Sequence, residues 1–123
     1  MNDLTDDQKR ILIDGGTEAP GSGDLLHNKT DGSYACAACD NVLFESGTKF
    51  DSGSGWPSFY DAIPGSVELL TDDSHGMIRT EVRCSVCEGH LGHVFNDAHD
   101  QPGGKRYCIN SLAMCFNPKE SND

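Results

Sequence analysis

Basic side chains and aromatic rings are both scarce in this chain of 123 residues. It has 9 Lys and Arg against 20 Asp and Glu, which gives a formal net charge of −11 at pH 7. Because this sign is wrong for a surface that neutralises phosphates, we expect no nucleic-acid partner. Aromatic residues make up only 7% of the chain, with a single Trp, so the hydrophobic core must be small. Domains with small cores are commonly stabilised by a bound metal or by disulfides.

Long hydrophobic segments are missing as well. No apolar run approaches the ~20 residues that span a bilayer, and Met1–Leu4 lacks the charged and apolar regions of a signal peptide. We expect no membrane partner, a cytoplasmic location and a monomer. The length fits a single domain over residues 1–123, with a helix and a wrapping loop in residues 1–32 and a polar tail in residues 117–123. A mere linker explains Thr17–Gly32 equally well.

The remaining patterning predicts one short helix and a mainly β, antiparallel fold. Thr5 and Gln8 have the spacing of a helix-capping box. Strands are expected at Tyr34–Cys36, Val42–Phe44, Val67–Leu70, Met77–Cys84, His93–Phe95 and Tyr107–Phe116. In the fourth of these, alternation puts Arg79, Glu81 and Arg83 on a face expected to meet water. The polar segment Thr71–Gly76 should turn the chain into that strand as a hairpin.

Four of the six cysteines form two CxxC pairs, Cys36 with Cys39 and Cys84 with Cys87. An apolar strand follows each pair, which makes a weak internal repeat. In a reducing compartment such pairs are typical metal ligands. Four thiolates in a tetrahedron suit Zn²⁺ and leave no open coordination position, so the site would be structural. Two disulfides, or four buried thiols, are the alternative.

A third cysteine, Cys108, has the surroundings of a reactive thiol. Strand alternation places Arg106, Cys108 and Asn110 on one face. A neighbouring cation favours the thiolate, which is the nucleophilic form of cysteine. The alternative is a structural thiol, which would have apolar neighbours instead.

Two further features complete the candidate site. His90 and His93 closely follow Cys87, so a metal-bound turn would hold these imidazoles rigidly, and an imidazole can donate a proton to a leaving oxygen. Alternatively, His90 is a zinc ligand, or both are ordinary surface residues. Trp56 stands between Gly55 and a proline, and it fits a pocket wall or a core anchor equally well.

Three blocks of sequence, Lys49–Phe59, Gly89–Phe95 and Arg106–Ser111, resemble the signature blocks of B-type methionine-(R)-sulfoxide reductases. The CxxC pairs stand in the family's zinc positions, and the resemblance covers nearly the whole chain. It implies two antiparallel sheets packed as a flattened, β-tent-like barrel, with the structural zinc opposite the active site.

The resemblance also implies a role for each candidate residue. The catalytic set is Cys108, His90, His93 and Asn110; the substrate-binding set is Trp56, Phe95, Arg106 and Asp97; the zinc ligands are Cys36, Cys39, Cys84 and Cys87. The implied reaction reduces methionine-(R)-sulfoxide, mainly in oxidised proteins, to methionine. It would pass through a sulfenic acid on Cys108.

One departure from the family concerns recycling of the enzyme. Many members carry a resolving cysteine where this chain has Ser54, so the usual internal disulfide cannot form. Cys115 would lie about 23 Å from Cys108 if one strand ran through both, too far for a disulfide. We therefore expect an external thiol reductant such as thioredoxin, glutaredoxin or glutathione, and a packed role for Cys115.

A different class of protein shares several of these features. Related β-tent modules keep the paired CxxC motifs and an aromatic pocket, and bind ligands without catalysis. The presence of Cys108 between Arg106 and Asn110 argues against that class. A zinc-ribbon module that binds nucleic acid is disfavoured by the net negative charge.

Overall fold

The computed structural model describes residues 2–73 and 76–119. Within them the chain forms helix α1 (Asp6–Leu12) and strands β1 (Gly32–Cys36), β2 (Val42–Glu45), β3 (Lys49–Phe50), β4 (Ser58–Phe59), β5 (Val67–Asp72), β6 (Arg79–Cys84), β7 (His90–Phe95), β8 (Arg106–Ile109) and β9 (Met114–Pro118). One sheet has the order β2-β1-β9 and the other the order β3-β4-β8-β7-β6-β5. All pairings are antiparallel. The predicted mainly β fold with two antiparallel sheets and a short helix is confirmed.

The helix forms where the capping box predicts it. The Thr5 side chain accepts a hydrogen bond from the Gln8 amide, and the Gln8 side chain accepts one from the Thr5 amide. Its apolar residues Ile11 and Leu12 are buried in the core. In the part of the chain that the structure describes, no helix is long and apolar enough to cross a membrane.

Aromatic side chains join the two sheets. Phe44 on β2 stacks on Phe59 of β4 with ring centroids 4.3 Å apart. Tyr34 on β1 meets Phe59 edge-on at 5.1 Å, and Tyr107 on β8 meets Phe44 at 5.8 Å. All four side chains are buried, and each such pair stabilises the fold by about 0.5–1.5 kcal/mol beyond its buried area.

The prediction of one strand over Tyr107–Phe116 is wrong. The chain leaves the six-stranded sheet after Ile109, passes through a 3₁₀ turn at Ser111–Ala113 and enters the three-stranded sheet at Met114. Apolar alternation does not distinguish a continuous strand from two strands that cross between sheets. Cys115 therefore pairs with Ala35 of β1, and the distance of about 23 Å, which assumed one strand, does not apply.

Residues 117 to 119, predicted as part of the polar tail, are held by β9 and by a backbone hydrogen bond. Asn117 and Pro118 end β9 and pair with Ser33 and Gly32. The Lys119 amide donates to the Asp31 carbonyl. The rest of the predicted tail, residues 120–123, lies outside the described residues.

The polar face of β6 meets water only in part. The Arg83 side chain is 38% exposed, whereas the Glu81 side chain is 13% exposed. Glu81 is half-buried and contacts an imidazole, as described below. The β5–β6 hairpin itself is confirmed by a register that runs from Val67 opposite Cys84 to Asp72 opposite Arg79. Residues 74 and 75 of its predicted turn lie outside the described residues.

Candidate active site and metal centre

A pocket of about 300 Å³ lies over the six-stranded sheet. Its walls are formed by Thr17, Ser54, Trp56, Arg79, Gly92, His93, Phe95, Arg106, Cys108 and Asn110. Six predicted site residues therefore meet in one cavity, although they come from three separate parts of the sequence. Gly92 is required by the close approach of β7 to β8, because a Cβ at this position would overlap the Cys108 carbonyl oxygen.

Cys108 lies on the central strand of this wall. It pairs with Ser58 on β4 and with His93 on β7. Its side chain is buried, and its Sγ accepts a hydrogen bond from Arg106 Nη1 at 2.6 Å. The hydroxyls of Ser54 and Ser58 lie 3.5 and 3.7 Å from the same sulfur. The polar contacts of this thiol contradict the alternative of a structural cysteine among apolar neighbours.

The Arg106 guanidinium is held from two sides. Its Nε and Nη2 donate to the two carboxylate oxygens of Asp97 at 2.9 and 2.8 Å. Its Cζ lies 4.5 Å from the centroid of the Phe95 ring. The hydrogen bond between Arg106 and Asp97 raises the pKa of the Arg106 guanidinium and lowers the pKa of the Asp97 carboxyl group. Asp97, which the resemblance puts in the substrate-binding set, is not among the residues that line the pocket; its contact with the site is through Arg106.

Each imidazole is paired with a carboxylate from the β5–β6 hairpin. His93 Nε2 lies 2.8 Å from Asp72 Oδ2, and His90 Nδ1 lies 2.7 Å from Glu81 Oε2. Since a carboxylate only accepts, the ring nitrogen donates in each pair. His93 lines the pocket, whereas His90 is buried beside it, with ring centroids 5.4 Å apart. The interpretation as surface histidines is therefore wrong.

The surroundings of His93 and Glu81 shift the pKa values of these two groups. Burial lowers the pKa of His93 below its ordinary value, and the hydrogen bond to Asp72 acts in the opposite direction. For Glu81, burial raises the pKa, but hydrogen bonds from Arg83 and His90 outweigh it and lower the net pKa. The lowered pKa of Glu81 favours its carboxylate form, which accepts the hydrogen bond from His90.

The sequence interpretation missed Asp72 and Glu81. The signal that could have found them is the strand register. Glu81 on β6 stands opposite His93 on β7, so the register places an acid near the imidazoles, although its carboxylate bonds to His90.

Trp56 and Asn110 complete the pocket. Trp56 sits in the loop between β3 and β4, and its Nε1 donates to the Glu18 carbonyl at 3.0 Å. It lines the pocket, which favours the pocket-wall interpretation over the core anchor. The buried Asn110 side chain accepts from the Glu18 amide at 3.0 Å and donates to the Leu91 carbonyl at 2.9 Å.

The two CxxC motifs form turns of the same geometry. The Asp40 amide donates to the Cys36 carbonyl at 2.9 Å, and the Glu88 amide donates to the Cys84 carbonyl at the same distance. The residue after each second cysteine has a positive φ, 65° for Asp40 and 63° for Glu88. The weak repeat in the sequence is therefore a repeat in local structure.

The sulfur atoms of these turns converge. The four Sγ atoms of Cys36, Cys39, Cys84 and Cys87 all lie within 4.8 Å of one another, a group that could hold a metal ion. The closest pairs are 3.5 and 3.6 Å apart. Tetrahedral coordination with Zn–S bonds of about 2.3 Å requires sulfurs about 3.8 Å apart, so the group fits such an ion. His90 has its Nδ1 engaged by Glu81 and is not in this group, which argues against it as a ligand.

The four-cysteine cluster links the two sheets. One CxxC turn joins β1 to β2 in the three-stranded sheet, and the other joins β6 to β7 in the six-stranded sheet. Arg79 at the pocket and Cys84 at the cluster occupy the two ends of β6, about 17 Å apart along the strand.

Comparison with known proteins gives clear matches. Residues 4–118 match the SelR domain family. The chain is 54% identical over 122 residues to the peptide methionine sulfoxide reductase MsrB of Photorhabdus laumondii subsp. laumondii, covering 98% of this chain and 89% of that protein. It is also 54% identical over 119 residues to the MsrB of Leifsonia xyli subsp. xyli, covering 96% and 86%.

A likeness to a solved structure concerns the fold alone. The crystal structure of the Mis18 "Yippee-like" domain matches with a TM-score of 0.58 and 17% sequence identity, over 74% of this chain and 99% of that one. At this level of identity, the likeness carries no information about activity.

Proposed function

Because the chain belongs to the SelR-domain family of B-type methionine sulfoxide reductases, we propose how this oxidoreductase carries out its reaction and on which substrate. It reduces the R epimer of methionine sulfoxide, mainly within polypeptides, through a sulfenic acid on Cys108. The single observation that carries this proposal is the pocket in which a guanidinium-bonded thiol faces an imidazole and an indole.

Substrate binding uses the two aromatic side chains of the pocket. Trp56 and Phe95 present apolar surface to the S-methyl group, and a sulfur–aromatic contact contributes about 0.3–1.5 kcal/mol. Arg79 also lines the pocket, where its charge suits the negative end of the sulfoxide dipole.

The chemical step is a two-electron transfer from one sulfur to another. The Cys108 thiolate attacks the electrophilic sulfoxide sulfur and forms a sulfur–sulfur bond, while an acid protonates the sulfoxide oxygen. The oxygen then passes to Cys108 as the sulfur–sulfur and original sulfur–oxygen bonds break. The products are methionine and Cys108–S–OH, so the methionine sulfur is reduced and Cys108 is oxidised.

His93 is the proton donor in this proposal, and the His90 ring lies beside it with centroids 5.4 Å apart. His93 lines the pocket, and the Asp72 carboxylate holds the His93 ring by its Nε2. When the ring is protonated, its second nitrogen carries the proton that the sulfoxide oxygen receives. Activity should then decline as the pH rises through the pKa of His93.

Replacing Asp72 by Asn tests this assignment. An amide oxygen still accepts from the ring but carries no charge, so the influence that raises the pKa of His93 is lost. The alkaline limb of kcat against pH should therefore move to lower pH. Asp73→Asn is the matched control, since Asp73 is an exposed neighbour. If the alkaline limb of kcat against pH were unchanged in Asp72→Asn, His93 would not be the acid.

Regeneration of Cys108 uses an external thiol. The position that would hold a resolving cysteine is occupied by Ser54, whose hydroxyl lies 3.5 Å from Cys108 Sγ. Cys115 lies in the other sheet, where its thiol points to the Ala35 carbonyl. An incoming thiol displaces the sulfenic oxygen as water and forms a mixed disulfide. A second thiol then releases reduced Cys108, as thioredoxin or glutathione in a reducing cytoplasm can do.

Ser54→Cys should convert this enzyme into one that forms its own disulfide. After a single turnover without reductant, the unaltered enzyme should lose one thiol and react with dimedone, a sulfenic acid probe. Ser54→Cys should lose two thiols and resist dimedone, because the new sulfur lies beside Cys108. Thiol titration and mass spectrometry distinguish the products. A Cys108–Cys115 disulfide in the unaltered enzyme would contradict external regeneration, and Cys115→Ser provides the control.

The metal that suits the four-cysteine cluster is Zn²⁺. Four thiolates around one ion close its coordination shell, so the ion supplies structure to the fold and no step of the reaction. Its ligands are Cys36, Cys39, Cys84 and Cys87.

One assay tests the proposal as a whole. The enzyme is incubated with racemic methionine sulfoxide and dithiothreitol, and the two epimers are followed by chiral chromatography. Only the R epimer should disappear. A ligand-binding module without catalysis would leave both epimers unchanged.

A further inference from the structure

Glu18 is a buried acidic residue to which the reaction assigns no task. It is 3% exposed and lies in the irregular segment Thr17–Gly23, which we call the N-terminal strap. Its Oε1 accepts from the Leu112 amide at 3.0 Å, in the turn between β8 and β9. Its Oε2 has no hydrogen-bond partner among the described residues. Burying a carboxyl group in this way costs free energy, so a compensating role is expected.

The backbone of Glu18 contacts two walls of the pocket. Its amide donates to the Asn110 side chain, and its carbonyl accepts from the Trp56 indole, both at 3.0 Å. One residue from the start of the chain thus orients side chains from the β3–β4 loop and the end of β8. The preceding residue, Thr17, lines the pocket itself.

The strap is fastened at two further points. The Gly21 amide donates to the Gly55 carbonyl at 2.7 Å, next to Trp56. At Gly23 the strap passes so close to the core that a Cβ would overlap both Ser111 Oγ and Glu18 Oε2. The side chain of Glu18 therefore fixes the strap on one side, and the Gly21–Gly55 bond fixes it on the other.

From these contacts we infer that Glu18 is a positioning residue for the substrate pocket. Its carboxyl group anchors the strap to the Leu112 amide, and the anchored backbone holds the Trp56 indole at the angle that receives the S-methyl group. This inference rests on the proposed function for the identity of the substrate. Asn110 keeps its second hydrogen bond to Leu91 when the strap moves, so Trp56 is the more dependent of the two.

The test compares three substitutions of Glu18 with a matched control. Glu18→Gln keeps an oxygen that can accept from Leu112. Glu18→Asp shortens the side chain by one methylene, and Glu18→Ala removes the acceptor. Glu45→Ala, an exposed glutamate on β2, is the control. KM and kcat are measured with methionine-(R)-sulfoxide, and Trp56, as the single Trp, reports its own environment by fluorescence.

Glu18→Ala and Glu18→Asp should raise KM about tenfold, the loss expected for one buried hydrogen bond, with kcat changed less than about threefold. Both should shift Trp emission to longer wavelength and increase its quenching by acrylamide. Glu18→Gln and Glu45→Ala should match the unaltered enzyme in all of these measurements. If Glu18→Ala does not fold, the comparison of Glu18→Asp with Glu18→Gln decides the result.

Two results would overturn the inference. In the first, Glu18→Asp or Glu18→Ala lowers the melting temperature but leaves KM and Trp emission unchanged, which indicates a merely structural role. In the second, Glu18→Gln is as impaired as Glu18→Ala, which indicates that the anchor is not a hydrogen-bond acceptor. Failure of the proposed function is distinguishable, because the unaltered enzyme would then be inactive while the fluorescence shifts remained.

Discussion

Replacing Cys108 by Ser is expected to lower kcat for methionine sulfoxide by about 1,000-fold or more. A serine hydroxyl stays protonated near neutral pH and cannot be oxidised to a stable equivalent of a sulfenic acid. The substitution is nearly isosteric, and Arg106, Ser54 and Ser58 offer polar partners for the new hydroxyl. The fold and the metal content should therefore be unchanged.

Activity, melting temperature and metal content are measured together. Cys115→Ser is the matched control, because Cys115 is a half-buried free thiol on a strand of the other sheet. It should retain the kcat of the unaltered enzyme. If Cys108→Ser retained more than a tenth of the activity, or if Cys115→Ser lost it, the assignment of the nucleophile would be wrong.

Removing the metal should have the largest effect on stability. A structural zinc site contributes about 10–16 kcal/mol to the folding of small domains, whereas the net stability of a domain is about 5–15 kcal/mol. Treatment with a strong chelator should therefore lower the melting temperature by at least about 15 °C. Cys84→Ser should have the same effect without a chelator.

The melting temperature should fall because of where the four-cysteine cluster lies in the fold. Both CxxC turns are hairpin turns, and they belong to different sheets. Circular dichroism follows unfolding, elemental analysis gives the metal content, and Zn²⁺ added back should restore both stability and activity. A metal-free sample with an unchanged melting curve would show that the cluster is not a structural site.

The sequence predicts much of the site because its chemistry is concentrated in short motifs. The CxxC pairs are local, so the ligand group is visible from spacing alone. Cys108 and Arg106 are two residues apart on one strand, so alternation places them together. Trp56 has no comparable local signal, and its position in the pocket depends on a hydrogen bond to Glu18, 38 residues away in sequence.

The features that the sequence analysis missed all depend on long-range geometry. Asp72 and Glu81 reach the imidazoles only through the register of β5, β6 and β7, which is interrupted by an irregularity at Val82 and Arg83. Such a register shift moves side chains to the other face of a sheet. The residues around Val82 and Arg83 show no sequence pattern that predicts this shift. The break after Ile109 was missed for a similar reason, since both strands on either side of it are apolar.

The four-cysteine cluster also closes a long loop of the chain. Cys36 and Cys87 are 51 residues apart in sequence and 3.6 Å apart in space. Closing a chain loop of that length costs about 3.5 kcal/mol of conformational entropy, and a metal ion bound by both turns would offset this cost. The enclosed ring contains β2 through β6 and carries Trp56, Asp72 and Glu81. A metal ion bound at the cluster would keep this ring closed and so hold these three side chains close to the two sheets that the cluster joins.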